Sequence, residues 1–262
     1  MFGAIVLRNI PKVEARIDTT RHDIQADFQG FKMVPPVSWH YVGVKVNEHH
    51  VGFWRQVGIN EVIVKDYNPE TGQFEDAPPD IQAAHADPKY GGMMKPGLAA
   101  YSHIHFGPWY GMVMHIPAEN FPPPLHAEDA GSGSRFAKAL HGAHGGDDDA
   151  FLAEFQYAFA SWYVSLPSAA VDETAFDRWR HLVLAAYNAG EDAIAEAGDL
   201  FPKIIDTLLH QFDVMGDEWF ESGNFLVSRQ AGYMTEDMID TGIPELAEKA
   251  EAFNTYIKKR KL

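Results

Sequence analysis

Histidine is the residue type with the most chemical potential in this sequence: the chain has thirteen of them and no cysteine. The pattern His103-Ile104-His105, followed by His115, is the most suggestive. On a β-strand, residues two apart point to the same face, so His103 and His105 would present two imidazoles to one divalent metal. A metal-dependent β-barrel enzyme of the cupin type, using His103, His105 and His115, is therefore one functional reading. Its missing part is a carboxylate, because no Asp or Glu lies between His105 and His115 and Glu119 is the first one after them. His49-His50 has only Glu48 beside it, and His141 and His144 sit among glycines where nothing would fix their geometry. His141 and His144 are expected to be solvated, and His49 and His50 to be surface or loop residues of a strand connection.

Other catalytic patterns are imitated or absent. Gly131-Ser132-Gly133-Ser134 resembles a nucleophile elbow, but it lacks the flanking strand and helix that would strain and expose the serine. The phosphate-cradling Gly-x-x-x-x-Gly-Lys-Ser/Thr loop and the dinucleotide fingerprint do not occur. Asp147-Asp148-Asp149 suits a helix start better than a chelating run. The absence of cysteine removes thiolate metal ligands, disulfides and sulfur nucleophiles together. The residues thus assign no catalytic, cofactor-binding or metal site, and the first reading is a protein-binding factor that is not an enzyme.

Charge narrows the partners. With 37 acidic against 21 basic residues the formal net charge is -16, which disfavours direct binding to phosphate backbones. The basic run Lys258-Lys259-Arg260-Lys261 fits the last turn of a helix. The opening apolar run is too short for a signal peptide, and no segment has the length of a membrane span. The chain is expected to be soluble and cytoplasmic or nuclear.

The elements that position these residues change character along the chain. From Phe2 to about Ala77, short runs of β-branched and aromatic residues predict strands at Ala4–Leu7, Trp39–Val46, Gly52–Val57 and Glu61–Asp66. Asn68-Pro69 and Gly72 predict a hairpin turn. Ser102–Phe106 and Met112–Ile116 read as two further strands around Gly107-Pro108. A sandwich or small barrel over residues 1–120 follows, then a Pro-, Gly- and His-rich linker over 121–146.

From residue 147 the apolar period becomes helical. Phe151, Phe155, Phe159, Trp162 and Leu166 form one stripe, ended by Pro167. Asp172 or Thr174 caps the next helix, which carries Phe176, Trp179, Val183 and Tyr187, with Gly190 as its stop. Further helices are predicted from Asp199 to Phe212, around Glu218-Trp219-Phe220, and from Pro244 onward. The class is α+β with two domains: a β-sandwich-like first domain and an all-helical stack over 147–262. Trp219, Phe220 and Phe225 break the stripes beside Gly216 and Gly223, which makes them candidate partner-binding residues. Stacked helices with spare aromatics also make dimers.

Two collinear sets of residues resemble a known family. The first runs through Ala4-Ile5-Val6-Leu7, Asn9-Ile10-Pro11, Ile17-Asp18, Phe28-Gln29-Gly30-Phe31-Lys32-Met33-Val34-Pro35-Pro36 and His40-Tyr41. The second runs through Glu154-Phe155-Gln156-Tyr157-Ala158-Phe159, Phe176-Asp177-Arg178-Trp179, Leu208-Leu209-His210-Gln211-Phe212 and Asn224-Phe225-Leu226. Their order is similar to that of the Aar-two splicing-factor family, an assembly factor of the spliceosomal U-five small nuclear ribonucleoprotein. The resemblance covers residues 3 to 77 and 147 to 260, with the stretch between them shorter than in the family, as expected of a compact, divergent member. It implies a sandwich-like domain, a helical domain resembling VHS modules, and a non-catalytic role. The implied partner is the large U-five scaffold protein, bound at its RNase-H-like and Jab/MPN-like domains. The motif positions Gly30, Lys32, Pro35, Pro36, His40, Tyr41, Phe155, Gln156, Phe159, Trp179, Gln211, Asn224 and Phe225 are expected to be structural. With the chain ending at Leu262, binding through a strand-adding tail is expected to be weakened.

Overall fold

The computed structural model describes residues 2–11, 13–25, 27–87, 96–119, 121–126, 134–166 and 170–260. The chain divides into two compact units, one of Met1–Tyr110 with Val164–Val171, the other of Gly111–Tyr163 with Asp172–Leu262.

The first unit is two sheets. Its strands are β1 (Gly3–Arg8), β2 (Glu14–Ile17), β3 (Thr20–Asp23), β4 (Gly30–Val34), β5 (Trp39–Val46), β6 (His49–Gln56), β7 (Val62–Asn68), β8 (Gln73–Asp76) and β9 (Leu98–Ala100), with helix α1 (Pro79–Ala86) between the last two. One sheet has the order β8-β7-β1-β4-β9 and the other β3-β2-β5-β6. Central β1 runs parallel to β7 and antiparallel to β4. Its run Ala-Ile-Val-Leu does not alternate in polarity because both faces are covered. Ile5 and Leu7 join Ala15, Ile17, Val42 and Val44 between the sheets. Ala4 and Val6 join Val62 and Val64 on the other face, against Ile81 of α1. Gln82 of α1 completes the ladder, receiving Val64 N–H at 2.9 Å and donating to the Val62 carbonyl.

The expected strands at 4–7, 39–46, 52–57 and 61–66 are β1, β5, β6 and β7, and the hairpin at Gly72 joins β7 to β8. The strands expected at Ser102–Phe106 and Met112–Ile116 are instead a 3-10 turn at His103–His105 and helix α2 (Phe106–Val113). Gly107-Pro108 reads as a turn in sequence, but a proline in the first turn of a helix removes only an N–H that has no helical partner. Trp109, Met112 and Val113 are then buried at helical spacing.

The expected linker is largely structured where it is described. Ser134 caps α3 (Arg135–Ala137) by accepting from Ala137 N–H at 3.2 Å, and a π-helical turn continues through Lys138–Ala143. Phe136 and Leu140 are buried there. Gly131, Ser132 and Gly133 lie outside the described residues.

The second unit is helical. Helix α4 (Asp148–Ser165) follows an Asp147 cap that accepts from Ala150 N–H at 3.0 Å. It is buried nearly all round, including Phe151, Phe155, Phe159 and Trp162, so it is the central helix of its unit. Pro167, expected to end it, lies outside the described residues. Asp172 caps α5 (Glu173–Tyr187) through Ala175 N–H. Gly190 does not stop α5; its left-handed backbone precedes α6 (Glu191–Glu196), which the stripes do not reveal. Then come α7 (Leu200–Asp213), α8 (Arg229–Asp240) and α9 (Pro244–Arg260). Helix α8 packs against α5, α6 and α9.

Gly30 is a tight backbone position in the sandwich. Its φ is +127°, and a Cβ there would lie 2.0 Å from the Ile5 carbonyl oxygen of the neighbouring strand. Gly30→Ala is expected to cost more than about 2 kcal/mol, whereas Gly72→Ala, also at positive φ (+67°) but in open space, costs about 1 kcal/mol. Urea midpoints of the two variants check the ranking, and a Gly30→Ala protein as stable as the parent would refute it.

Candidate functional site

The chemistry-bearing side chains gather at two buried carboxylates, one in each unit. In the helical unit, Glu154 projects from α4 with its side chain 1% exposed. Arg178 of α5 grips both oxygens, with Nε to Oε1 at 2.9 Å and Nη2 to Oε2 at 2.8 Å. His144 Nε2 lies 2.8 Å from Oε2, and His126 approaches Oε1 with its backbone N–H and, at 3.1 Å, with Nδ1. Four segments thus meet at one carboxylate. Burial alone would push the Glu154 carboxyl up. The hydrogen bonds from His144 and Arg178, the guanidinium charge and the His126 amide outweigh it and hold the group down at about 2.

His126, His144 and Glu154 are also the group, among the described residues, whose potential metal-ligating atoms converge, all within 4.8 Å of one another. Two imidazoles and a carboxylate are a zinc-like donor set. Here, however, both oxygens already accept from Arg178, and the guanidinium balances the charge. A divalent cation would have to displace Arg178 and strand its charge in the interior. The arrangement is a carboxylate clamp in which the guanidinium takes the role a metal would have. His144, expected in solvent, has a side chain only 4% exposed, because the π-helical turn before it folds the glycine-rich stretch against α4.

In the sheet unit the carboxylate is Asp18, in a left-handed turn between β2 and β3. Its Oδ2 accepts from Tyr101 OH at 2.7 Å and faces His40 Nδ1 at 2.7 Å, and its Oδ1 accepts from Tyr41 N–H at 3.0 Å. His40 Nε2 faces the Pro35 carbonyl at 2.8 Å, so both ring nitrogens meet acceptors. Burial lowers the His40 pKa, but Asp18 and the Pro35 carbonyl raise it further, and the net direction is up. Two acceptors facing the two ring nitrogens favour the protonated form of the ring. Arg16 donates to the Asp18 carbonyl through Nε and Nη2, and through Nη1 to the carbonyls of Val164 and Leu166 at 2.8 and 2.9 Å.

The first set of motif positions serves this hub. Gly30 and Lys32 lie on β4, where the Lys32 carbonyl accepts from Tyr101 N–H. Pro35 and Pro36 form the turn that offers its carbonyl to His40, and Tyr41 is the buried neighbour. The second set builds the helical core. Phe155 and Phe159 are fully buried. Gln156 accepts from His115 N–H at 2.7 Å and donates to the Gly111 carbonyl at 2.9 Å, tying α4 to the end of α2. Trp179 donates its indole N–H to Gln211 at 2.9 Å, and Asn224 caps a 3-10 turn through Leu226 N–H.

The metal pattern expected at His103, His105 and His115 does not form. His103 and His105 lie exposed on the 3-10 turn, where the two-residue alternation of a strand is lost, and His103 packs on Phe2 and Tyr101. His115 follows α2, its pKa lowered by burial and by Lys203. Of the candidate partner-binding aromatics, Phe220 is 2% exposed, packed on Phe212 and under the Arg260 guanidinium. Trp219 and Phe225 are half-buried over the Trp162–Trp179 stack, and Arg180 lies over the Phe225 ring.

Comparison with known proteins adds a family. A model described as the AAR2 N-terminal domain matches residues 2–121, and one described as the AAR2 C-terminal repeat region matches residues 129–261. The matches run through residues 78–121 and 129–146, a stretch that the motif pattern alone leaves out. A curated Caenorhabditis elegans protein, called Protein AAR2 homolog, is 30% identical over 93 residues, which is 35% of this chain and 26% of that protein. The chain thus aligns with about a quarter of that relative's length.

The clamp sets a pH dependence. The folded Glu154 pKa of about 2 lies below its ordinary value of 4.5, so its contribution is present above the ordinary value and is lost as pH falls through about 2. The interval corresponds to roughly 3 kcal/mol. Glu154→Gln is expected to lower stability by about 3 kcal/mol at pH 7 and to flatten the loss between pH 5 and 2, and adding Arg178→Met to restore part of it. Denaturation curves of the three proteins at pH 7 and pH 3 decide the matter; an unchanged acid limb in Glu154→Gln would rule the clamp out.

Proposed function

This chain belongs to the AAR2 family, whose two domain models match residues 2–121 and 129–261, and from that premise we propose that it is a protein-binding assembly factor acting in splicing-particle assembly. The family match carries the reading. The geometry supports it from a second side: at the Asp18 and Glu154 hubs, carboxylate, imidazole and guanidinium groups are paired with one another inside the core. A catalytic set needs a base or nucleophile that faces a substrate. Groups spent on internal hydrogen bonds stabilise a fold.

The partner in this proposal is the large scaffold protein of the U-five particle, at its RNase-H-like and Jab/MPN-like domains. Trp219 and Phe225, with Arg180 beside them, are proposed contact residues, since half-buried aromatics with an arginine are the composition of energetic centres at interfaces. Phe220, buried against Phe212 and Tyr256, is not among the proposed contacts. A chain of net charge -16 steers toward a basic surface, and such steering is screened by salt. The location that follows from this role is the cytoplasm with passage to the nucleus.

Affinity capture from the native host followed by mass spectrometry is expected to return the scaffold protein, with capture falling as salt rises from about 0.05 to 0.5 M. Trp219→Ala together with Phe225→Ala is expected to weaken capture at least tenfold. Capture that lacks the scaffold protein, or that is indifferent to salt, would overturn the proposal.

A further inference from the structure

The helical unit carries a groove whose charge runs against that of the whole chain. It lies between α8 and α9, with a volume of about 370 Å³. Its floor is apolar, made by Val227, Ala231, Phe253 and Ile257. Arg229 and Lys258 stand at its rim, and Tyr233, 55% exposed, forms a wall. Glu236 is the one carboxylate in its lining.

A second hollow, of about 480 Å³, flanks the other side of the first turn of α8. It is lined by Ser134, Arg135, Leu184, Asn188 and Gln230, with no carboxylate. Three cations therefore bracket the start of α8 on a chain of net charge -16. Among the described residues, none of Arg135, Arg229 and Lys258 is held in an ion pair. The start of the helix adds to the field. Ser228 stands at the N-cap position but makes no cap hydrogen bond, and its buried hydroxyl has no partner. The partial positive end of a twelve-residue helix is thus not answered by its own cap.

We propose that this groove docks a short acidic peptide segment of a partner protein, which sets an apolar side chain on the floor and its carboxylates against Arg229, Lys258 and the start of α8. Charge complementarity selects the occupant. A cationic segment would meet Arg229 and Lys258, and a purely polar one would leave the floor uncovered. A nucleic acid offers negative charge without an aliphatic side chain, and its phosphates would face the acidic remainder of the chain. The inference rests on the reading of this chain as a protein-binding factor and adds the chemistry of one partner segment.

Gly232 supplies a clean test. It lines the groove within α8, and a Cβ built on it meets no atom within 4 Å. Gly232→Gln therefore fills the groove and replaces a helix-interior glycine, so thermal stability is expected to hold or rise. In fluorescence anisotropy with the full chain, a labelled acidic peptide with a central isoleucine is expected to bind with a dissociation constant on the order of 10 μM. Gly232→Gln, the pair Arg229→Glu and Lys258→Glu, and replacement of the peptide isoleucine by alanine are each expected to weaken it at least tenfold. Equal binding of the charge-reversed peptide, stronger binding of an oligouridine, or loss of peptide binding through self-association would each overturn the proposal. Scaffold capture without peptide binding sinks this inference alone, and peptide binding without scaffold capture sinks the assembly-factor reading alone.

Discussion

A carboxylate removed from water must be met by enough N–H and O–H donors to replace its hydration, and both units of this protein are arranged around that demand. Glu154 is met by Arg178, His126 and His144, and Asp18 by His40, Tyr41 and Tyr101. Apart from the neighbours His40 and Tyr41 of β5, these donors come from separate stretches of chain, so satisfying one anion fixes several segments at once. The glycine-rich approach to α4 can be ordered near His144 because the clamp gives the imidazole a fixed address. Such ion pairs contribute more to the uniqueness of an arrangement than to net stability, since an apolar replacement of both partners is often as stable.

The same demand explains what could be read in the sequence. Strands such as β1 and β5 and helices such as α4 and α7 announce themselves by period, because burial of an apolar face is a local requirement repeated along the element. The hubs do not announce themselves. Asp18 and His40 are separated by two strands, and Glu154 and His144 by a cap, and nothing in either neighbourhood marks the pairing. The clue available in sequence was a polar residue inside an apolar stripe: Glu154 and Gln156 sit between Phe151 and Phe159, and a helix buried all round must pair such residues internally. Short elements were missed for a related reason. β3 and α6 take their stability from neighbours, and their own patterns are too brief to carry a period.

The misread histidines make the point in chemical terms. His103-Ile104-His105 has metal-like spacing only if the backbone is extended, and here it is a 3-10 turn leading into α2, whose first turn accommodates Pro108. His126 and His144, with no motif between them, converge on Glu154 because the fold brings them there. Spacing is evidence of chemistry only after the element that carries it is known. Even convergence is not sufficient, since the guanidinium of Arg178 satisfies the carboxylate that a metal would need.

With the two hub carboxylates engaged in holding segments together, what the surface offers a partner is charge, and that charge has two ranges. At distances beyond a Debye length of about 8 Å in physiological salt, a partner senses mainly the acidic total. Within that distance it senses the local array, and at the start of α8 this array is Arg135, Arg229 and Lys258 around an apolar floor. The two ranges need not agree in sign. A partner whose surface is basic over most of its area is drawn in by the total, and an acidic segment on the same partner is held by the groove once contact is made. A uniformly acidic protein is repelled before it reaches the groove, and a uniformly basic one finds nothing there to hold it. Opposed long-range and short-range charge therefore discriminates between partners by their charge pattern, a form of specificity that net charge alone does not provide.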